Sequence, residues 1–329
     1  MSIVLRLKKI TYQKVCDRMH KLLLGMFGRW TYPSYWHYIL KGSVDNPNTE
    51  CFCFTARPNP GAGIGHQMAN WIAGYWWAKQ FGIRFAHLPF STQSWEDFLG
   101  FGNNEPRIPV LKKKGYKVRR IPLFYETKPE SIELVIDIIS SYSGKRVVFL
   151  CEQDQFYRNQ YGVMEEIQNK FYGAPARGND ILLYDSSDFN IAIHVRRGDI
   201  MTDPTNENLR MRYLSNDYFD KVLHEVVENF AKIQRKPIHI YIFSQGILDD
   251  FPEFKKYKNI HWCMDMAAQD SFLHMVYADV LITSKSSFSY KPALLNKNGI
   301  KVCPRDFWHG YPDSKDWILC DNKGNMEWK

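Results

Sequence analysis

The chain has 329 residues, 45% hydrophobic, 15% aromatic and 24% charged. That is enough for two domains with separate cores, and it is not the composition of a disordered protein. The formal charge of +8 is uneven: residues 1–30 hold seven Lys or Arg against Asp17, a net +6, which leaves +2 for everything else. A body this close to neutral excludes a general polyanion-binding surface and argues against nucleic acid as a partner.

In the basic head, Val4, Leu7, Val15, Met19, Leu22 and Met26 fall on one helical face. The longest apolar run, Leu22 to Phe27, is too short to cross a bilayer. Two readings stand side by side: a basic amphipathic helix lying on an anionic membrane surface, or a helix packed on the folded body. Seven cysteines at 16, 51, 53, 151, 263, 303 and 320, an odd number with no C-x-x-C, argue against a disulfide framework. They fit a reducing cytoplasm, with the protein free there or peripheral on the inner face of the membrane.

An aromatic connector, Trp30 to Trp36, leads to a short strand at Cys51–Thr55. The turn Gly61-Ala-Gly63-Ile-Gly65-His66 follows, then helical periodicity over Gln67–Phe81 and a returning strand at Ile83–Leu88. That β-loop-α-β order predicts parallel strands. Lys145–Cys151 reads as a further buried strand of the same half, and a helical stretch near 162–172 precedes the Pro/Gly-rich loop 173–180. The second half alternates again. Strands are expected at 189–195, 239–243, 260–263, 279–283 and 300–303, with helices at 217–234, 269–277 and 288–295. The expected organisation is a basic segment and connector over 1–50, α/β domains over 51–180 and 181–305, and a tail over 306–329. The fold class is α/β, two doubly wound halves facing a cleft.

Ligands of an open parallel sheet sit beyond the carboxyl ends of its strands. The stretch FNIAIHVRRGDI places His194, Arg196 and Arg197 there. A guanidinium fork matches phosphate oxygens bidentately, and Asp199 is placed to clamp one such fork or the loop backbone. One Arg can hold a pyrophosphate while the other turns back to structural partners. The loop TSKSSFS (283–289) also leaves a strand end and opens a helix, so Ser286, Ser287 and the free amides around Phe288 form an anion-binding concavity, or the serine is a helix N-cap and nothing more. Asp270, opening the preceding helix, can accept hydrogen bonds from a base or serve as an N-cap. Gly63 and Gly65 let a ligand approach the backbone closely, though the spacing is not G-x-G-x-x-G. His66 is a candidate base or substrate contact, with a structural role as the competing reading.

The blocks HVRRGD (194–199), YIFSQ (241–245), 270–296 and 61–82 resemble the α-1,2-fucosyltransferase family and, more distantly, the α-1,6- and protein-O-fucosyltransferases. Four blocks in matching order cover roughly residues 51–305. The resemblance implies a GT-B fold with two Rossmann-like domains, GDP-fucose as donor, an inverting reaction and no metal. The sequence contains no D-x-D, in keeping with the last point. Carried over by position, Arg196 would hold the β-phosphate, His194 and Asp270 would contact guanosine, and Ser286 and Ser287 would line phosphates and ribose. The 61–66 loop, with Gly63 and Gly65, would meet donor phosphate or acceptor. His66 is the first candidate base and Asp199 the second. The expected acceptor is an oligosaccharide or lipid-linked glycan. Three departures, His66 and Lys285 for the family's Asn and Tyr290-Lys291 for a Trp pair, leave GDP-mannose or another nucleotide 6-deoxysugar open. A nucleotide- or glycan-binding module without activity is the non-enzyme reading.

Overall fold

The computed structural model describes Met19, Leu22 and residues 26–154, 156–203 and 205–328. Most of the amphipathic head therefore lies outside the described residues. The chain forms two compact units, one of residues 1–60, 73–88 and 105–156, the other of residues 61–72, 89–104 and 157–329.

The first unit opens with helix α1 (Pro33–Lys41), where the sequence suggests an aromatic connector. Strands β1 (Phe52–Ala56), β2 (Arg84–Phe85), β3 (Lys117–Arg120) and β4 (Val147–Cys151) make a parallel sheet in the order β2-β1-β4-β3. Every residue of β1 and β4 is buried. Such unbroken apolar runs mark strands covered on both faces. Helix α2 (Ile64–Gln80) follows the glycine turn, and its first nine residues belong to the second unit. Helix α3 (Gln93–Leu99) belongs to the second unit, and α4 (Ile108–Lys113) and α5 (Pro129–Ser140) to the first. In α5, Pro129 sits where a missing N–H is harmless, while Val135, Ile138 and Ile139 give the buried stripe.

The second unit contains helix α6 (Met164–Tyr172) and a seven-stranded sheet. Its strands are β5 (Phe189–His194), β6 (Ile238–Ser244), β7 (Ile260–Met264), β8 (Val280–Ile282), β9 (Ile300–Pro304), β10 (Trp317–Cys320) and β11 (Met326–Glu327). The order is β11-β10-β9-β8-β5-β6-β7, parallel except for the β10–β11 pair. Numbered from β5, the six parallel strands run 3-2-1-4-5-6, the doubly wound order of nucleotide-binding sheets. Helices α7 (Asn216–Ala231), α8 (Ala268–Tyr277) and α9 (Ser287–Leu295) follow β5, β7 and β8. The Ser215 hydroxyl caps α7 by accepting from the Tyr218 amide at 3.2 Å. Phe219, Val222, Leu223, Val226 and Phe230 then carry the apolar face onto Ile191, Ile193 and Ile242. Each large side chain buried this way contributes about 1.5–3 kcal/mol. Asn190, a polar residue inside β5, donates through Nδ2 to the Asp185 carbonyl at 3.2 Å, while its Oδ1 is buried with no hydrogen-bond partner among the described residues.

Two differences from the expected organisation follow. Residues 306–329 are not a tail: β10 and β11 extend the second sheet, and Trp317 is 1% exposed. The compact units also divide at Phe156/Tyr157, with 61–72 and 89–104 counted in the second unit, so they are not the contiguous segments 51–180 and 181–305.

Candidate functional site

In the 3-2-1-4-5-6 order, connections leave β5 and β8 toward opposite sides, and that switch point is where such sheets bind ligands. The loops after these two strands carry the HVRRGD turn and the SKSSFS turn. The structure joins them directly. Arg196 Nη1 donates to Ser286 Oγ at 3.0 Å, and Arg196 Nη2 grips both Asp199 oxygens at 2.9 and 2.8 Å. Ser286 also caps α9, its hydroxyl accepting from the Phe288 amide at 3.2 Å. A guanidinium and the positive end of a helix thus meet at one point, the composition of an anion site.

The two arginines part company. Arg197 is half-buried and donates to the carbonyls of Arg196 (2.8 Å) and Leu214 (3.1 Å) and to Asn216 Oδ1 (2.5 Å). It also lies over the Tyr213 ring at 4.8 Å. Its role is to hold the loop. Gly198 sits at φ +69°, a conformation that L side chains rarely adopt, so the turn favours glycine there.

His194 closes β5 and is 8% exposed. Burial, followed by the Arg196 and Arg197 charges, pushes its pKa down to about 3. The ring is therefore neutral at physiological pH, with Nδ1 paired to Ser284 Oγ at 2.7 Å. It lies 5.5 Å, centroid to centroid, from Phe288. His194, Arg196, Asp199, Ser286 and Phe288 form one connected group.

The glycine turn reaches the same helix end. A Cβ on Gly65 would sit 2.6 Å from the Ser287 carbonyl carbon and 2.8 Å from the Phe288 nitrogen. Only a residue without a side chain lets these backbones approach so closely. Gly63 faces open space by the same measure. Gln67 fastens the turn, donating to the Ala62 carbonyl at 2.8 Å and to Ser91 Oγ at 2.9 Å while accepting from the Ser91 amide at 2.9 Å. His66, one residue beyond Gly65, is half-buried.

Asp270 stands apart from this group. It is exposed in the first turn of α8, where Ala267 holds the N-cap position, so the capping alternative does not apply. With Ser94, Asp97, Arg177, Asp180 and Gln269 it lines a separate cavity of about 280 Å³. Among the described residues no hydrogen bond joins its carboxylate to His194, Arg196 or Ser286. Lys285 points elsewhere too, donating to Asn322 Oδ1 at 2.8 Å.

Two further buried groups lie next to the site: Lys291, noted in the sequence only as a departure from the family's Trp pair, and His309, not singled out there. Lys291 is fully buried within α9, bonded to Gln160 Oε1 and 4.7 Å from the Tyr290 ring centroid; burial drives its pKa well below the usual lysine value. His309 is 2% exposed and stacks on Tyr290 at 4.9 Å. Burial first, then the Lys291 charge, lowers its pKa, with His66 adding in the same sense. Gln160 Nε2 donates to the Ala69 carbonyl at 3.1 Å, linking this polar core to the helix that carries His66. The signal for Lys291 was present, a lysine inside an otherwise apolar helix; His309 gave none. Among the described residues, no group of three or more His, Cys, Asp or Glu is placed to hold a metal ion, and no helix is long and apolar enough to cross a membrane.

No protein-family model and no curated protein sequence matches the chain. Solved structures do resemble it in fold. The NodZ α-1,6-fucosyltransferase co-crystallised with GDP aligns at a TM-score of 0.45 and 12% identity, over 84% of this chain and 97% of that one. POFUT1 in complex with GDP-fucose aligns at 0.47 and 12%, over 80% and 99%. The fucosyltransferase NodZ from Bradyrhizobium aligns at 0.44 and 12%, over 75% and 93%. At this level of likeness, function has to be read from the residues themselves.

Proposed function

We propose that the protein is an inverting glycosyltransferase of GT-B architecture that moves L-fucose from GDP-fucose to a hydroxyl of a glycan acceptor. The observation that carries the reading is the bond between Arg196 and the cap of α9 at the switch point of a nucleotide-type sheet. A diphosphate there would meet the guanidinium and the first-turn amides of α9 together. The site residues inferred from sequence, His194, Arg196, Ser286, Ser287 and Phe288 with Gly63 and Gly65, are assigned to the donor, and Asp270 is kept as a candidate for the guanine.

In the proposed reaction the acceptor oxygen attacks the anomeric carbon as the bond to the β-phosphate oxygen breaks. GDP leaves with the electron pair, and the acceptor proton passes to a base. Arg196 and the helix end balance the charge that grows on the leaving phosphate. Asp199 has both oxygens on Arg196, which favours His66 as the base and Asp199 as the residue that positions the guanidinium. We assign the acceptor to the lipid-linked glycan class, α-1,2 transfer to galactose being the first linkage to test, because the +6 head suits work beside an anionic membrane in the cytoplasm.

Calorimetry with GDP, UDP and CDP in one buffer tests the donor site. Preference for GDP is expected, and equal binding of UDP, or none of GDP, overturns the assignment. GDP-fucose against GDP-mannose, each with a panel of galactosides and linkage determination, then fixes the sugar.

A further inference from the structure

Exposed apolar side chains gather at one place in the first unit. Trp30 (52% exposed), Trp36 (41%), Ile39 (50%) and Leu40 (80%) are accompanied by Met26 and Phe27. On α1, Ser34 and Tyr35 are buried, so Trp36, Ile39 and Leu40 occupy the outward face of a helix whose inward face is already satisfied. The tryptophans are held in place: Trp36 Nε1 donates to the Trp30 carbonyl at 2.8 Å and the rings lie 5.2 Å apart. A contiguous exposed apolar patch of this kind marks a binding surface.

What it binds is indicated by its flank. His37, next to Trp36 on α1, lines a cavity of about 700 Å³ with Lys117, Arg119, Tyr142, Lys145 and Arg146, and none of its lining residues is acidic. Lys145 Nζ lies 2.8 Å from His37 Nε2, and burial together with Lys145, Lys41 and Arg119 lowers the His37 pKa. Amphipathic tryptophans beside a cationic cleft match the interface of an anionic bilayer, where indoles sit at headgroup level and Lys and Arg meet phosphate.

We infer that α1 and the cleft beside it form a docking surface for an anionic phospholipid membrane. Trp30, Trp36, Ile39 and Leu40 enter the headgroup boundary while Lys117, Arg119, Lys145 and Arg146 contact the lipid phosphates. The inference is independent of the donor site in the second unit.

The test is co-sedimentation of the full chain with vesicles of pure phosphatidylcholine and of equimolar phosphatidylcholine and phosphatidylglycerol, at low and high salt. Binding is expected only to the anionic vesicles, and it should weaken with salt. Trp36→Glu with Leu40→Glu, both exposed and so tolerable in the fold, should lower the partition coefficient at least ~10-fold; Lys117→Glu with Lys145→Glu should do the same, each reversal removing an attraction and adding a repulsion. Three results would overturn the assignment. One is equal binding to neutral vesicles. Another is unchanged binding in both double variants, which would shift the contact to residues 1–25. The third is a dimer in solution that Trp36→Glu with Leu40→Glu dissociates, which would make a second copy of the chain the occupant.

Discussion

Each sheet sends an arginine out of the carboxyl end of a central strand, and the two meet different company. In the first unit Arg57, just past β1, pairs with Glu152, just past the neighbouring β4, at 3.0 Å. Arg120, from the end of β3, reaches the same carboxylate at 2.5 Å. In the second unit Arg196, just past β5, meets Ser286, just past the neighbouring β8, and the carboxylate that grips it comes from its own turn. The facing strand therefore supplies a negative charge in one unit and a helix N-terminus in the other. The facing carboxylate repels a phosphate and the facing helix end attracts one, while Asp199, on Arg196's own turn, opposes that attraction only in part. Topology places both arginines, but the residue facing each one decides what it can bind.

The comparison breaks most visibly at Arg196. Arg196→Ala should lower turnover about 10²–10³-fold, the effect of removing one preorganised donor worth roughly 2.7–4 kcal/mol in the transition state. GDP affinity should fall with it in calorimetry. Retention of near wild-type transfer and binding would leave the second unit's arginine no different in kind from the first's. His66→Ala should depress turnover and leave GDP affinity unchanged, and a full rate would remove it as base.

Gly65→Ala is expected next in size. The added Cβ would overlap the Ser287 backbone, and relieving such overpacking costs typically about 1–3 kcal/mol. Denaturant unfolding should report that loss, and GDP binding should weaken because the end of α9 is displaced. Gly63→Ala, with nothing within 4 Å of its Cβ, should leave the unfolding midpoint at the parent value and is the control for the stability loss alone.

Acid should distinguish the buried histidine at the end of β5. Its folded pKa, about 3, lies below the ordinary 6.5, so the unfolded chain binds the extra proton between those values. Stability should therefore fall as pH drops through that window, at up to about 1.4 kcal/mol per pH unit from this one group. His309, also depressed by burial, adds in the same sense. Urea unfolding of His194→Gln at a series of pH values should give a shallower slope than the parent; an identical slope would mean that His194 is not held neutral.

The sequence showed the second unit more fully than the first because its elements have long, regular signals. FNIAIH, YIF and VLI read as buried runs, and the 216–231 stripe reads as a helix, because packing there agrees with local pattern. Between residues 93 and 140 the elements are short or carry polar faces. The strand Lys117–Arg120 is strand-like only because β4 pairs with it. Trp317–Cys320 reads as part of a tail because the loop before it conceals that the chain returns to the sheet. Within the site, Arg196, Ser286 and Gly65 were legible from strand-end position and turn chemistry. The capture of Arg196 by Asp199 and Ser286 together, the separation of Asp270 and the burial of Lys291 arise from tertiary contacts that spacing does not encode.

The smallest expected effect is the sharpest control. Arg57 and Glu152 have side chains 52% and 24% exposed, so water and salt screen their attraction, and a surface pair of this kind contributes about 0–1 kcal/mol. Glu152 keeps Arg120 when Arg57 is removed, which limits the loss further because no carboxylate is stranded. Arg57→Ala should thus move the denaturation midpoint slightly, and less at high salt, while leaving GDP affinity at the parent value. Should Arg57→Ala weaken GDP binding as Arg196→Ala does, a facing carboxylate would not disqualify a strand-end arginine from phosphate, and the distinction between the two sheets would fail at its physical root.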